Sequence, residues 1–116
     1  MNNSDKGSYV LSKHTGISQQ YHWVLKASNY EVILTSENYA NKQGAETGIS
    51  SCRSNSQTDS KYEKRTSGSN QPYFVLKADN GQVIGTSQMY SSTSARDNGI
   101  ESVKKFGKDA ALVDVS

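Results

Sequence analysis

The side chains able to do chemistry are few and far apart. His14 and His22 are the only histidines, and neither has a cysteine or histidine partner at metal-ligand spacing. His22 reads as an exposed strand residue. Cys52 is the single thiol; it shares a helical face with Ile49, which predicts a buried small hydrophobe. A nucleophilic thiolate needs an accessible, electropositive site, and Arg53 is the one neighbour that could supply it. The carboxylates Glu31, Glu37, Glu46, Glu63 and Glu101 are scattered, whereas acid–base work needs two in one cleft. Neither Gly-x-x-x-x-Gly-Lys-Ser/Thr nor Gly-x-Gly-x-x-Gly occurs, and no seryl-hydrolase motif stands out among 19 serines. The expectation is a protein that is not an enzyme and needs no metal or cofactor.

The remaining candidates are polar residues that occur twice. His22-Trp23-Val24-Leu25-Lys26-Ala27 returns 51 residues later as Tyr73-Phe74-Val75-Leu76-Lys77-Ala78. Between 22–53 and 73–104 there are 13 identities in 32 positions without a gap, so the chain is two copies of one unit. The doubled polar positions are Lys26/Lys77, Asn29/Asn80, Ser36/Ser87, Tyr39/Tyr90 and Arg53/Lys104. Structural duties explain most of them: Asn for a turn, Ser for the strand-to-helix connection, Tyr for stapling helix to sheet. A functional reading sets Lys26, Lys77, His22, Tyr73, Ser36, Ser87, Tyr39 and Tyr90 on a binding surface. A pseudo-twofold axis would then bring two Lys and two Tyr to one sheet face, where stacking flanked by Lys could hold an anion or a single strand of nucleic acid.

Each unit reads as strands followed by a helix. Tyr9-Val10-Leu11 and Lys61-Tyr62-Glu63-Lys64 open the units. In the next strand Trp23, Leu25 and Ala27 face inward against His22, Val24 and Lys26; Phe74, Leu76 and Ala78 repeat this against Tyr73, Val75 and Lys77. Asp79-Asn80-Gly81 signals a hairpin. A three-residue loop with Gly81 left-handed, placing Ile84 beside Leu76, is favoured over a two-residue turn pairing Val83 with Ala78. Tyr30 stands where the other copy has Gly81, so that turn must be strained or differently shaped. Asn41 and Ser92 are matching helix N-caps. Gly48 and Gly99 lie inside the helices, which suggests a helix backbone close to the sheet. Lys104, Lys105 and Lys108 read as a solvated helix end.

A strand follows each helix, so 61–64 both closes the first unit and opens the second, and 110–115 is a last strand. The expected fold is α+β: two tandem β-β-β-α-β repeats in one mainly antiparallel sheet, two helices on one face, terminal strands exchanged between repeats about a pseudo-twofold. Residues 1–8 read as a flexible start, with 9–58 and 59–116 as repeats of one domain.

Charge narrows the partners. Net charge is +2, with 5 basic and 4 acidic residues up to Thr58 and 8 and 7 beyond, so neither half carries a strong field for polyanions. No apolar run reaches a membrane span and residues 1–8 hold no signal-peptide core. A lone cysteine fits a reducing cytoplasm. A monomer with an internal pseudo-dimer is expected.

The stretch Phe74 to Ile84, with Thr86-Ser87-Gln88-Met89-Tyr90 and Gly99-Ile100-Glu101-Ser102-Val103-Lys104, resembles the YegP-like family of small bacterial proteins. The first copy matches through Leu25-Lys26-Ala27-Ser28-Asn29, Thr35-Ser36-Glu37-Asn38-Tyr39 and Gly48-Ile49-Ser50-Ser51, departing at Tyr30 and Cys52. The resemblance implies two units building a single sheet and exchanging final strands, an arrangement single-copy relatives reach as homodimers. It implies no activity. A non-catalytic interaction or ligand-binding module is the expected function, ahead of weak nucleic-acid or anion binding through His22, Lys26, Tyr73 and Lys77.

Overall fold

A computed structural model describes residues 6–14 and 20–116. Chain order is β1 (Ser8–His14), β2 (Gln20–Lys26), β3 (Val32–Ser36), α1 (Lys42–Asn55), β4 (Tyr62–Thr66), β5 (Pro72–Lys77), β6 (Val83–Thr86), α2 (Thr93–Phe106) and β7 (Ala111–Asp114). Of the expected flexible start, residues 1–5 lie outside the described residues, whereas Ser8 already opens β1.

The strands form one sheet in the order β4-β5-β6-β3-β2-β1-β7. All described pairings are antiparallel except β1 with β7. At the centre β3 meets β6 with Thr35 opposite Thr86, residues 51 apart, so the pseudo-twofold passes between them. The strand after each helix crosses to the other repeat: β4 joins β5, and β7 joins β1. These crossings are not equivalent. The place beside β2 is already taken by β1, so β7 adds outside it and must run parallel.

The hairpin at Asp79-Asn80-Gly81 has the expected three-residue loop: Gly81 N–H donates to Ala78 C=O at 2.9 Å and Gly81 has φ 83°. The expected register does not hold. Lys77 pairs with Val83 and Leu76 with Gly85, leaving Ile84 in a bulge between them. A bulge puts two neighbouring residues on one side, which lets Ile84 and, in the first copy, both Ile33 and Leu34 reach the core. The turn at Tyr30 keeps the same shape as its Gly81 counterpart, with Tyr30 N–H on Ala27 C=O at 2.9 Å. It is strained instead, at φ 69°.

Both helices start at the expected caps: Asn41 Oδ1 accepts from Gly44 N–H at 2.7 Å and Ser92 Oγ from Ala95 N–H at 3.0 Å. They cover one sheet face, burying Trp23, Leu25, Phe74, Leu76, Ile49, Cys52, Ile100 and Val103. Tyr9 on β1 donates to Gly107 C=O at the end of α2, and Tyr62 on β4 donates to Ser56 C=O at the end of α1, at 2.5 and 2.8 Å. These phenols tie each opening strand to a helix end and satisfy a carbonyl the helix leaves open. Among the described residues no helix is long and apolar enough to cross a membrane.

Candidate functional site

The doubled residues do not gather on one surface. Ser36 and Ser87 are buried, each in the same role. Ser36 Oγ accepts from Trp23 N–H at 2.9 Å and donates to Glu37 C=O at 2.8 Å; Ser87 Oγ accepts from Phe74 N–H at 3.0 Å and donates to Gln88 C=O at 2.8 Å. Hydroxyls committed at both ends hold the strand-to-helix turn and are closed to a ligand.

Tyr39 and Tyr90 lie on the helix side of the sheet, away from Lys26 and Lys77. A Cβ built on Gly48 would sit 2.2 Å from the Tyr39 hydroxyl, and one on Gly99 2.2 Å from the Tyr90 hydroxyl. So the helix glycines make room for tyrosine rings, and the close approach is to a side chain instead of the sheet backbone. Burial raises both phenol pKa values, and Glu31 adds to the rise at Tyr90.

The outward face carries His22, Lys26, Tyr73 and Lys77 by strand alternation. Lys77 is tied to Glu63 at 2.8 Å, and Glu63 also pairs with Arg65. Both partners hold the Glu63 carboxyl below its usual range. Val75, which alternation sends outward, is 1% exposed although no helix covers it. Its same-face neighbours are Tyr73 and Lys77 along β5, with Glu63 and Thr86 opposite, and their stems supply the cover. His22 stacks on His14 with ring centres 4.3 Å apart. Desolvation and the His14 charge both lower its pKa. Among the described residues no three His, Cys, Asp or Glu side chains gather as metal ligands would.

Cys52 is fully buried, and burial pushes its thiol up to about 12. Arg53 spends its charge elsewhere, over the Tyr9 ring at 4.7 Å and on Lys108 C=O at 2.9 Å. Lys104 pairs with Asp59 at 2.6 Å.

The concavity that does collect doubled residues is a groove of about 680 Å³ between α1 and the β5–β6 hairpin. Gly48, Ala78, Val83 and Ile84 contribute apolar surface; Glu37, Tyr39, Thr47, Ser51, Asn80 and Gln82 contribute polar groups. It is composite, with α1 from one repeat and the hairpin from the other. Behind Tyr39 lies the buried Trp23 indole N–H, which makes no hydrogen bond of ordinary geometry among the described residues but faces the Tyr39 hydroxyl closely enough to offset part of the rise in its pKa. It is 3.1 Å from the Cβ position of Gly48, on the Tyr39 side. The other repeat has Phe74 there, stacked on Tyr90 at 6.3 Å with no N–H to satisfy. Sequence reasoning missed the groove because nothing in a single strand or helix says which hairpin will lie across the axis.

A second concavity of about 510 Å³ between β4 and α2 holds Asp59, Glu63, Asp97 and Glu101. Each of these carboxylates has a basic partner: Lys104, Lys77 and Arg65, Lys64 and Arg96, and Lys104 again. That cavity is internally neutralised.

Comparison with known proteins agrees with this duplicated frame. The family described as a domain of unknown function, DUF1508, matches twice, at residues 18–63 and 67–114. A UPF0339 protein named YegP from Yersinia pestis is 55% identical over 110 residues, covering 95% of this chain and 96% of the relative. The solution structure of a UPF0339 protein from Shewanella oneidensis superposes with a TM-score of 0.87 at 53% identity, covering 95% of this chain and 92% of that one. The solution structure of YegP from Escherichia coli, titled a protein of unknown function, gives 0.88 at 47% identity, covering 95% and 93%. With both repeats matched and about half of all residues shared along nearly the whole length, the chain belongs to the DUF1508 family, as a two-repeat member.

Proposed function

We propose that the protein is a non-catalytic binding module of the bacterial cytoplasm whose ligand occupies the groove between α1 and the β5–β6 hairpin. One observation carries the reading: Tyr39, Thr47 and Ser51 from one repeat and Asn80 and Gln82 from the other line a single groove over Gly48, Ala78, Val83 and Ile84. A few polar groups on an apolar base is the usual make-up of a small-ligand site. The groups are donors and acceptors, not an acid and base in register. The Tyr39 phenol is pushed away from ionisation by burial, and Glu37 is the groove's only carboxylate. A small polar ligand with amide or hydroxyl groups fits this lining. The free, buried thiol of Cys52 accords with a reducing compartment.

An amide-detected NMR screen with small polar fragments tests the reading. Shifts are expected at Tyr39, Gly48, Asn80 and Gln82, and their loss in Thr47→Trp, which fills the groove from an exposed helix position. Single-stranded DNA and RNA at two salt concentrations form the contrasting arm. Salt-dependent shifts at His22, Lys26, Tyr73 and Lys77, with a silent groove, would replace this reading with nucleic-acid binding on the outward face.

A further inference from the structure

The sheet has two edges of opposite character. β4 reads Tyr-Glu-Lys-Arg-Thr, and its charges are held in place by Lys64 with Asp97 and Arg65 with Glu63. Charges on an edge strand deter another strand from pairing with it. β7 carries one such charge, Asp114 at its end, against three on β4. Leu112, Val113 and Val115 are 47%, 42% and 61% exposed, three of the five exposed large hydrophobic residues among those described.

We infer that β7 is the surface through which two copies of this chain associate, pairing antiparallel about Val113 into one continuous sheet. The inference stands apart from the groove, which lies elsewhere on the molecule. Its register follows from the hydrogen bonds already made. Ala111 N–H donates to Gly7 C=O at 3.2 Å and Val115 N–H to Leu11 C=O at 2.9 Å. Since alternate residues of a strand turn their N–H and C=O to opposite sides, Leu112 and Asp114 present theirs to solvent. Centring the twofold on Val113 lets Leu112 of each copy exchange both backbone bonds with Asp114 of the other. Val113 then meets its own copy, and Val115 lies opposite Ala111. The other registers are worse. Centring on Asp114 sets two carboxylates face to face, which is destabilising. Centring on Leu112 brings Asp114 against Ala110, which is 1% exposed and outside the strand. In the favoured register Asp114 arrives already paired with Lys42.

The internal duplication does not close this edge, because β7 is the strand without a counterpart beyond β4. An interface one short strand long is at the small end for proteins, so the pairing is weak and depends on concentration. A second copy is favoured over a foreign segment because this strand offers itself a register free of facing like charges.

Sedimentation velocity from micromolar to millimolar concentration tests it on three proteins. The unaltered chain is expected to move from the mass of one chain toward that of two. Leu112→Pro removes only an outward N–H, which an edge strand tolerates, and Val113→Lys sets two ammonium groups face to face. Both are expected to lose the concentration dependence while keeping circular dichroism and amide dispersion unchanged. In the unaltered chain the Leu112 and Asp114 amides should exchange more slowly at high concentration. A monomer at every concentration overturns the proposal, as does a dimer insensitive to both variants or one that leaves those two amides unprotected.

Discussion

Gly48 is there for Tyr39, and a double-mutant cycle can show it through a change of sign. A Cβ on Gly48 would lie 2.2 Å from the tyrosine hydroxyl, 2.7 Å from Cζ and 3.1 Å from Trp23 Nε1. Ordinary contact needs about 3.5 Å, so the phenol must retreat by more than about 1 Å. Trp23 is fully buried behind it, which leaves the ring only the outward direction, into the groove. Exposing much of an aromatic ring costs about 1.5–3 kcal/mol. Replacing glycine in a helix interior gives back about 1 kcal/mol. Gly48→Ala is therefore expected to destabilise the protein by about 0.5–2 kcal/mol. In a Tyr39→Ala background the hydroxyl is gone and only the 3.1 Å approach to Trp23 Nε1 is left, so the same substitution should stabilise by up to about 1 kcal/mol, a coupling of about 1.5–3 kcal/mol. Urea unfolding of the four proteins measures this, with unchanged m-values as the control. Gly99→Ala with Tyr90→Ala repeats the experiment in the other half, where the Cβ would again fall 2.2 Å from a hydroxyl. Equal destabilisation by Gly48→Ala in both backgrounds would refute the assignment.

Ser36→Ala and Ser87→Ala each orphan a buried backbone N–H, on Trp23 and Phe74. Each should cost about 1–3 kcal/mol by chemical denaturation, and similarly in the two repeats. Tyr30→Gly relieves a left-handed residue at φ 69° and should raise stability by up to about 1 kcal/mol, with no change of fold by NMR. Cys52, with its thiol pushed up to about 12, should ignore a thiol-specific chromogenic reagent at pH 8 until denaturant is added. The Asp114 carboxyl is held down to about 2 by Lys42 and by the Ser116 hydroxyl and N–H. Its folded value is below the ordinary value near 3.9. Its stabilising contribution is thus complete above about pH 4 and fades as pH falls toward 2. An NMR titration of the carboxyl carbon with a midpoint near 4 would contradict that.

The sequence made the frame readable because the same apolar spacing occurs twice. Trp23 and Phe74, Leu25 and Leu76, and Ile49 and Ile100 all fall in the core as alternation and helical spacing predict. The caps Asn41 and Ser92 were legible because capping is local chemistry. Leu34 was not: it is buried through a bulge, and its copy is Gly85, so the repeat itself gives no hint. Alternation places Val75 outward, where it lies, yet its burial depends on side chains brought from β4 by a long-range pairing. Spacing alone leaves Tyr39 and Tyr90 open to a stapling or a binding duty and does not say which sheet face they occupy. Which face follows from the turn that Ser36 and Ser87 hold, a tertiary consequence of two hydroxyls.

The pseudo-twofold is where duplication has altered the protein most. In a symmetric pair of identical units, any residue beside the axis meets its own copy. Two leucines at the position of Leu34 and Gly85 would collide, and two glycines would leave a void, which is also destabilising. Here a Cβ on Gly85 would be 2.9 Å from Leu34 Cγ, so one repeat supplies the side chain and the other the space. The same division occurs at the helix ends, where a Cβ on Gly107 would be 2.6 Å from Ser56 Oγ. Covalent linkage makes such large-and-small pairs available, because the two positions are independent codons. The same freedom separates Trp23 from Phe74. One half keeps a buried N–H behind its tyrosine and the other keeps only a ring. The groove between α1 and the β5–β6 hairpin, built from both repeats, can therefore differ from its pseudo-twofold counterpart, where Glu31 acts on Tyr90 in place of the Gln82 that lines the groove with Tyr39.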